Sequence, residues 1–171
     1  MTGDNAPIIL TATLGAEDQA FFNKLRKTYF PPERNYLDAH ITLFHHLPPL
    51  HWREIKRYIL QLTSEYETPR ADVDKIINLG GGVAFHVHSP EMLAVREMLA
   101  ESLSGLLIPQ DQQKPRLHIT VQNKVKSAEA KLLFADLCED FEAFPIKLVG
   151  ISAFYYRGGP WDEIGHWKFK G

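Results

Sequence analysis

The chain has little cysteine, with Cys138 the single one in 171 residues. One cysteine cannot form an internal disulfide bond. Cys138 follows Phe134 by four residues on an apolar helical stripe, so the sequence predicts a buried thiol. A catalytic thiol is disfavoured because reactive cysteines lie in electropositive, partly exposed surroundings.

Long apolar runs and an excess of positive charge are also missing. No apolar run approaches the roughly 18 residues of a membrane span, and residues 1–5 lack the basic and apolar regions of a signal peptide. The formal net charge of -2 argues against a broad basic face that grips long nucleic acid. A small phosphorylated ligand or an RNA end remains compatible with this charge, because binding it needs only a local basic cluster. We expect a cytoplasmic protein without membrane contact.

The chain does contain the same short pattern twice. Ala39-His40-Ile41-Thr42-Leu43 and Leu117-His118-Ile119-Thr120-Val121 each place a histidine two residues before a threonine in an alternating apolar run. In a strand, alternate residues share one face. Each segment is thus predicted to be a strand with an imidazole and a hydroxyl on one face and apolar residues on the other. The apolar faces would pack under helices and leave both His/Thr faces to line a cleft.

The remaining pattern predicts the same order of elements in both halves: strand, helix, His/Thr strand, helix, strand. No linker divides the chain, so we expect one domain over residues 1–171, with two lobes related by a pseudo-two-fold axis. The other predicted strands cover 8–14, 73–79, 83–88, 146–156 and 164–169, the predicted helices cover 16–29, 52–63, 92–103 and 128–141, and 110–115 is predicted to be a polar loop.

The two motifs resemble those of the 2H phosphoesterases, a family named for two His-x-Thr/Ser motifs that includes 2′-5′ RNA ligase-like proteins and cyclic phosphodiesterases. The match is in residue type, apolar flanks and separation, and the order of elements agrees over nearly the whole chain. The resemblance implies an α+β fold in which two antiparallel sheets, with helices outside, form a V-shaped cleft. One motif then lies on each wall.

The resemblance also implies an activity. Family members act on 2′,3′-cyclic phosphates or 2′-5′ linkages without a metal or other cofactor, and typically leave a 2′-phosphate. His40 and His118 would be the general base and general acid, in an order that the sequence leaves open, because imidazole titrates near pH 6.5. Thr42 and Thr120 would donate hydrogen bonds to the phosphate oxygens.

One position departs from the family pattern. RNA-ligase-type members commonly carry a basic residue about five positions after the second motif, where this chain has Asn123. Lys124 comes next, and we expect it to bind the substrate phosphate instead.

Six further residues are candidates to line the cleft. They are charged, imidazole or aromatic side chains placed on the motif faces or at the end of the last long strand: His86, His88, Arg116, Tyr155, Tyr156 and Arg157. Tyr155 and Tyr156 point in opposite directions, so one of them would stack on a base and the other would pack. His86 and His88 have a metal-ligand spacing but no third ligand, so no metal site is predicted. Trp161 and Trp167 are predicted to lie in the core or at the rim.

Three functions remain open at this point. The first is hydrolysis of a 2′,3′-cyclic phosphate on a nucleotide or RNA end. The second is 2′-5′ RNA ligation, which is the reverse of the same chemistry. The third is a binding module that recognises a nucleotide or RNA end without turnover. None of the three requires an obligate protein partner.

Overall fold

The computed structural model describes residues 5–171, and residues 1–4 of the N-terminus considered above lie outside this part. This part of the chain forms seven strands and five α-helices. The strands are β1 (Ile8–Leu14), β2 (Ile41–Leu47), β3 (Arg70–Asn78), β4 (Val83–His88), β5 (His118–Gln122), β6 (Phe144–Tyr155) and β7 (Asp162–Lys168). The helices are α1 (Ala16–Tyr29), α2 (Trp52–Glu65), α3 (Pro90–Ser102), α4 (Pro109–Gln112) and α5 (Ser127–Glu139).

The strand order, β2-β1-β6-β3-β4-β5 with β7 beside β6, reflects an exchange between the two halves of the chain. The first half runs β1-α1-β2-α2-β3 and the second runs β4-α3-α4-β5-α5-β6, followed by β7. Each half pairs its first two strands with each other. Each then gives its third strand to the other half, so that β6 pairs with β1 and β3 pairs with β4. Each half therefore needs a strand from the other half to form its part of the sheet.

The α+β fold and the antiparallel pairing confirm the sequence prediction, but the two predicted sheets are joined. The first residues of β6 pair with β3, from Phe144 to Lys147, and the rest pair with β1, from Leu148 onward. A register shift in β1 at Leu14 accompanies this change of partner. Both lobes therefore belong to one seven-stranded sheet. A V-shaped opening between the lobes stays a prediction.

The apolar face of the sheet and the inner faces of the helices form one cluster of buried side chains that contains residues from both halves. Phe22 of α1 is fully buried and packs edge-on against Phe85 of β4. Since α1 belongs to the first half and β4 to the second, this helix packs across onto the other half. Edge-to-face ring pairs contribute about 1 kcal/mol beyond their burial.

Two buried arginines extend this exchange to the motif strands. Arg26 of α1 donates from Nη1 to the backbone oxygen of Thr120 in β5, at 2.8 Å. Arg96 of α3 donates from Nε to the backbone oxygen of Leu43 in β2, at 3.1 Å. Each helix thus holds the His/Thr strand of the other half. Hydrogen bonds from charged donors to buried carbonyls are among the stronger polar contacts in proteins.

Two local predictions are wrong. Cys138 is exposed, because α5 turns Ala130 and Leu133 toward the sheet and leaves the Cys138 side of the helix in solvent. The segment predicted as a polar loop begins inside α4, whose Asp111 is fully buried. Helices as short as α4 carry too little apolar periodicity to be recognised.

No helix within residues 5–171 combines the length and the apolar character that crossing a bilayer requires.

The hydrogen bonds from the helix arginines to the motif strands predict a large effect of a single substitution. Arg96→Ala should lower the free energy of unfolding by about 3 kcal/mol, because it leaves buried carbonyl oxygens unpaired and opens a cavity. Urea denaturation measures this. Arg53→Ala, at an exposed position on α2, is the matched control and should change stability by no more than about 0.5 kcal/mol. Equal effects of the two substitutions would contradict a structural role for Arg96.

Candidate active site

The two motif histidines occupy matching places in the fold. His118 is the first residue of β5, and His40 directly precedes β2. Both side chains are half-buried, as are those of Thr42 and Thr120. The residues between them, Ile41 and Ile119, are fully buried. The alternation expected from the sequence therefore places the imidazoles and hydroxyls on the face away from the core.

The same hydrogen bond orients both imidazole rings. His40 Nδ1 lies 2.8 Å from the backbone oxygen of Asp38, and His118 Nδ1 lies 2.6 Å from that of Arg116. A carbonyl oxygen only accepts, so Nδ1 carries the proton in each ring. When either ring is neutral, its Nε2 is then the basic nitrogen. Each motif thus presents a bare Nε2 with no protein partner among residues 5–171.

The hydroxyl groups of the two motif threonines are available to bind a ligand. Within the described part of the chain, neither the Thr42 nor the Thr120 hydroxyl is hydrogen-bonded to protein. Thr42 lies opposite Thr11 on β1, and Thr11 lies opposite Ser152 on β6. Thr120 lies opposite Ala84 on β4. The first motif is therefore flanked by a row of hydroxyls, whereas the second is not.

Burial lowers the pKa of His40 to about 4. The hydrogen bond to the Asp38 carbonyl opposes this shift, while the positive charges of Arg26 and His118 add to it. The contribution of His118 means that the two histidines lie within electrostatic reach of each other. At neutral pH His40 is an uncharged base.

Trp161 lies directly against His40, with ring centroids 4.6 Å apart and planes inclined by 53°. It precedes β7 and also contacts Phe154. A cavity of about 350 Å³ opens here, lined by His40, Trp161, Phe154 and the hydroxyl residues Thr11, Thr13 and Ser152. The sequence predicts Trp161 in the core or at the rim. Its contact with His40 is not predicted, because it depends on the return of β7 beside β6.

A second cavity of about 600 Å³ adjoins the first, and Tyr36, Leu37 and Trp161 line both. Lys124 and Tyr156 line the second cavity, together with Arg26 and Arg34. Lys124 is therefore near Trp161 but is not among the residues that line the His40 cavity. Of the two adjacent tyrosines, Tyr156 is the one that lines a cavity, whereas Tyr155 lies under the Arg157 guanidinium.

The second motif has its own neighbour. His86 lies directly opposite His118 in the pairing of β4 with β5, so the two side chains share a face. His86 Nδ1 is 2.5 Å from Asp74 Oδ1 on β3. His86, held by Asp74, thus brings a further imidazole beside His118. His86 is a candidate from the sequence, but Asp74 gives no signal there because the contact spans two strands.

The other candidates lie apart from this cluster. His88 is exposed and lines a separate cavity with Lys114 and Pro115. Arg157 forms an ion pair with Asp162. The Arg116 side chain is exposed, and it is the Arg116 backbone oxygen that reaches His118.

Asp111 holds the end of β2 against the segment that leads to the second motif. Its carboxylate accepts hydrogen bonds from the backbone N–H groups of His45 and His46 and from the His45 ring. Burial acts to raise the pKa of Asp111, but these hydrogen bonds from His45 and His46 outweigh it and lower the pKa overall. The His45 ring is thus bonded to the buried Asp111 carboxylate.

Within residues 5–171, no three His, Cys, Asp or Glu side chains are grouped as a bound metal ion would require.

Comparison with known proteins agrees with this geometry. The family model of the 2′-5′ RNA ligase superfamily matches residues 15–149, which include both motifs. The chain belongs to this superfamily. The match confirms the resemblance to the 2H phosphoesterases. No curated protein matches the chain.

Solved structures share the superfamily fold at low sequence identity. E. coli LigT complexed with 3′-AMP superposes with a TM-score of 0.62 at 14% identity, covering 98% of this chain and 100% of LigT. TT0787 of Thermus thermophilus gives 0.68 at 14% identity, covering 96% of this chain and 98% of TT0787. A crystal structure described as a phosphoesterase gives 0.58 at 16% identity, covering 98% and 100%. These likenesses establish the fold of this superfamily member.

The burial of His40 predicts its titration. The His40 ring should protonate with a midpoint near pH 4, followed by NMR of the ring protons, with His40→Asn used to assign the signal. Because the folded pKa is below the unfolded value of about 6.5, protonation opposes folding. His40 therefore costs stability as the pH falls from about 6.5 toward 4. A midpoint near 6.5 would contradict its burial.

Proposed function

We propose that this protein is a metal-independent phosphodiesterase that hydrolyses 2′,3′-cyclic phosphates on a nucleotide or RNA end. The observation that carries the proposal is the matched pair of hydrogen bonds from Nδ1 of His40 and His118 to backbone oxygens. These bonds leave Nε2 as the basic nitrogen of each ring, and in this proposal the two nitrogens act on one phosphate. In-line displacement at phosphorus needs a base on the attacking side and an acid on the leaving side.

The low pKa of His40 assigns the two roles in this proposal. A ring that stays neutral down to about pH 4 is a general base at neutral pH. Its Nε2 takes a proton from the attacking water as the oxygen bonds to phosphorus. His118 is then the general acid, which gives its Nε2 proton to the departing ribose oxygen. The roles exchange in the reverse reaction, by microscopic reversibility.

The free hydroxyls of Thr42 and Thr120 complete the site. Both are half-buried and have no protein partner within residues 5–171. In this proposal they donate to the two non-bridging phosphate oxygens, on which negative charge builds up in the transition state. The nucleotide part of the substrate has an aromatic wall in Trp161, beside His40. The relatives complexed with 3′-AMP, NADP+ and ATP support a nucleotide ligand.

Substitution of either histidine tests the proposal. EDTA-treated protein should open nucleoside 2′,3′-cyclic monophosphates, and His40→Asn and His118→Asn should each lower kcat/KM by at least about a hundredfold. Asparagine keeps a donor for the backbone oxygen but removes the basic nitrogen, so circular dichroism melting should change little. Chromatography that resolves 2′- from 3′-phosphates identifies the bond cleaved. His51→Asn, on the partly exposed His51 at the start of α2, is the matched control and should keep full activity.

Three results would argue against hydrolysis by two histidines. Activity lost with EDTA and restored by zinc or manganese indicates a metal hydrolase. Saturable nucleotide binding without any product indicates a binding module. Joined product from RNA with a cyclic phosphate end and RNA with a 5′-hydroxyl end, in excess of hydrolysis, indicates a ligase.

A further inference from the structure

The second cavity, lined by Arg26, Arg34, Lys124, Tyr156 and Trp161 among others, has no role in the chemistry described so far. It adjoins the His40 cavity along Tyr36, Leu37 and Trp161. A ligand with its scissile phosphate at His40 can therefore extend along the Trp161 ring into this second cavity. Its lining contains three cationic residues, Arg26, Arg34 and Lys124, whereas the hydroxyl-rich first cavity has no lysine or arginine among residues 5–171 in its lining.

Arg26 is a buried cation without a carboxylate in contact. Its side chain is 3% exposed, and it donates only to neutral oxygens, those of the Asn35 side chain and of the Leu37 and Thr120 backbone. Asp38 is near enough to interact with its charge but is itself exposed. The guanidinium also lies over the Phe30 ring, 4.1 Å from its centroid. Because no carboxylate contacts this buried charge, an anion in the cavity would be favoured.

The equivalent arginine of the other half shows the contrast. Arg96 is also buried and also bonds a motif strand, but it lies beside the buried carboxylate of Asp111. It also donates to the Asp111 backbone oxygen at 2.5 Å. The structure thus supplies a permanent negative charge to Arg96, whereas Arg26 faces a cavity.

Two more cations are free in the same cavity. The side chains of Arg34 and Lys124 make no hydrogen bond or ion pair in the described part of the chain. Glu33 is the one acidic residue in the lining. Lys124 also has a positive φ of 59°. Among residues 5–171 it is the only non-glycine residue with a positive φ. Such backbone strain tends to be kept at binding sites.

We propose that this second cavity is an anion subsite, which binds a second phosphate of the same ligand. The inference rests on the proposed function, and it specifies the substrate class as a nucleotide that carries one phosphate besides the scissile one. That phosphate is either a terminal group on the same nucleotide or the diester that links it to the next nucleotide. Arg34 and Lys124 contact it, Arg26 supplies charge from the wall, and Tyr156 offers a ring for an adjoining base.

Binding of three nucleotides measured by calorimetry tests the subsite without requiring turnover. Adenosine 2′-monophosphate carries one phosphate. Adenosine 2′,5′-bisphosphate adds a terminal phosphate, and a diadenylate ending in a 2′-phosphate adds a bridging diester. Wild-type protein should bind at least one of the last two about tenfold tighter than the first, which is the gain from one charge-assisted hydrogen bond. The probe that gains shows which source of phosphate the subsite takes.

Substitution locates the gain in affinity. Arg34→Ala should abolish the roughly tenfold preference while leaving the affinity for adenosine 2′-monophosphate unchanged, because Arg34 does not line the His40 cavity. Arg53→Ala removes an exposed cation on α2 and should keep the preference. Raising the salt concentration should weaken the preference in wild type.

The proposal is overturned if the three ligands bind wild-type protein equally, if none of them binds, or if Arg34→Ala weakens all three alike. Its failure is separable from that of the proposed function. If the protein prefers the ligand with two phosphates but hydrolyses no cyclic phosphate, the subsite is supported and the proposed phosphodiesterase activity is refuted. If hydrolysis depends on His40 and His118 but the three ligands bind equally, the proposed function is supported and the subsite is refuted.

Discussion

The hydrogen bonds of Arg26 and Arg96 to the opposite motif strands are the contacts on which the site depends. Each arginine belongs to one half of the chain and reaches a backbone oxygen in the His/Thr strand of the other. The exchange of β3 and β6 also ties the two halves together, since each half adds a strand to the sheet of the other. A displacement of either motif strand would therefore disturb both halves. The fold holds two separate short segments in one fixed relation.

The ring of each histidine is oriented by the backbone two residues earlier, at Asp38 and Arg116. This arrangement needs no carboxylate partner, so the side chains at these two positions are not used to orient the ring. The two rings differ in their neighbours. His40 lies against Trp161 in a cavity with hydroxyl groups, whereas His118 faces His86 and its Asp74 partner. The two similar motifs therefore lie in chemically different surroundings.

The strands and helices were largely predictable because their apolar residues follow regular periods, as in β1 and α1. The motif faces were predictable for the same reason. The burial of Arg26 was not, since an arginine on a helix is usually solvated, and Phe21 beside Phe22 is half-exposed although both fit the apolar stripe. Asp74 and Trp161 join the site through pairings of distant strands. Such contacts leave no local pattern in the sequence.

The central claim is that the ring of each motif histidine carries its proton on Nδ1 and leaves Nε2 as the basic nitrogen. NMR correlation of ring nitrogens with carbon-bound ring protons, at a pH where both histidines are neutral, reports the tautomer of each ring directly. The account predicts that His40 and His118 both carry the proton on Nδ1, since a carbonyl oxygen accepts there. A proton on Nε2 of either ring in the free protein would contradict it.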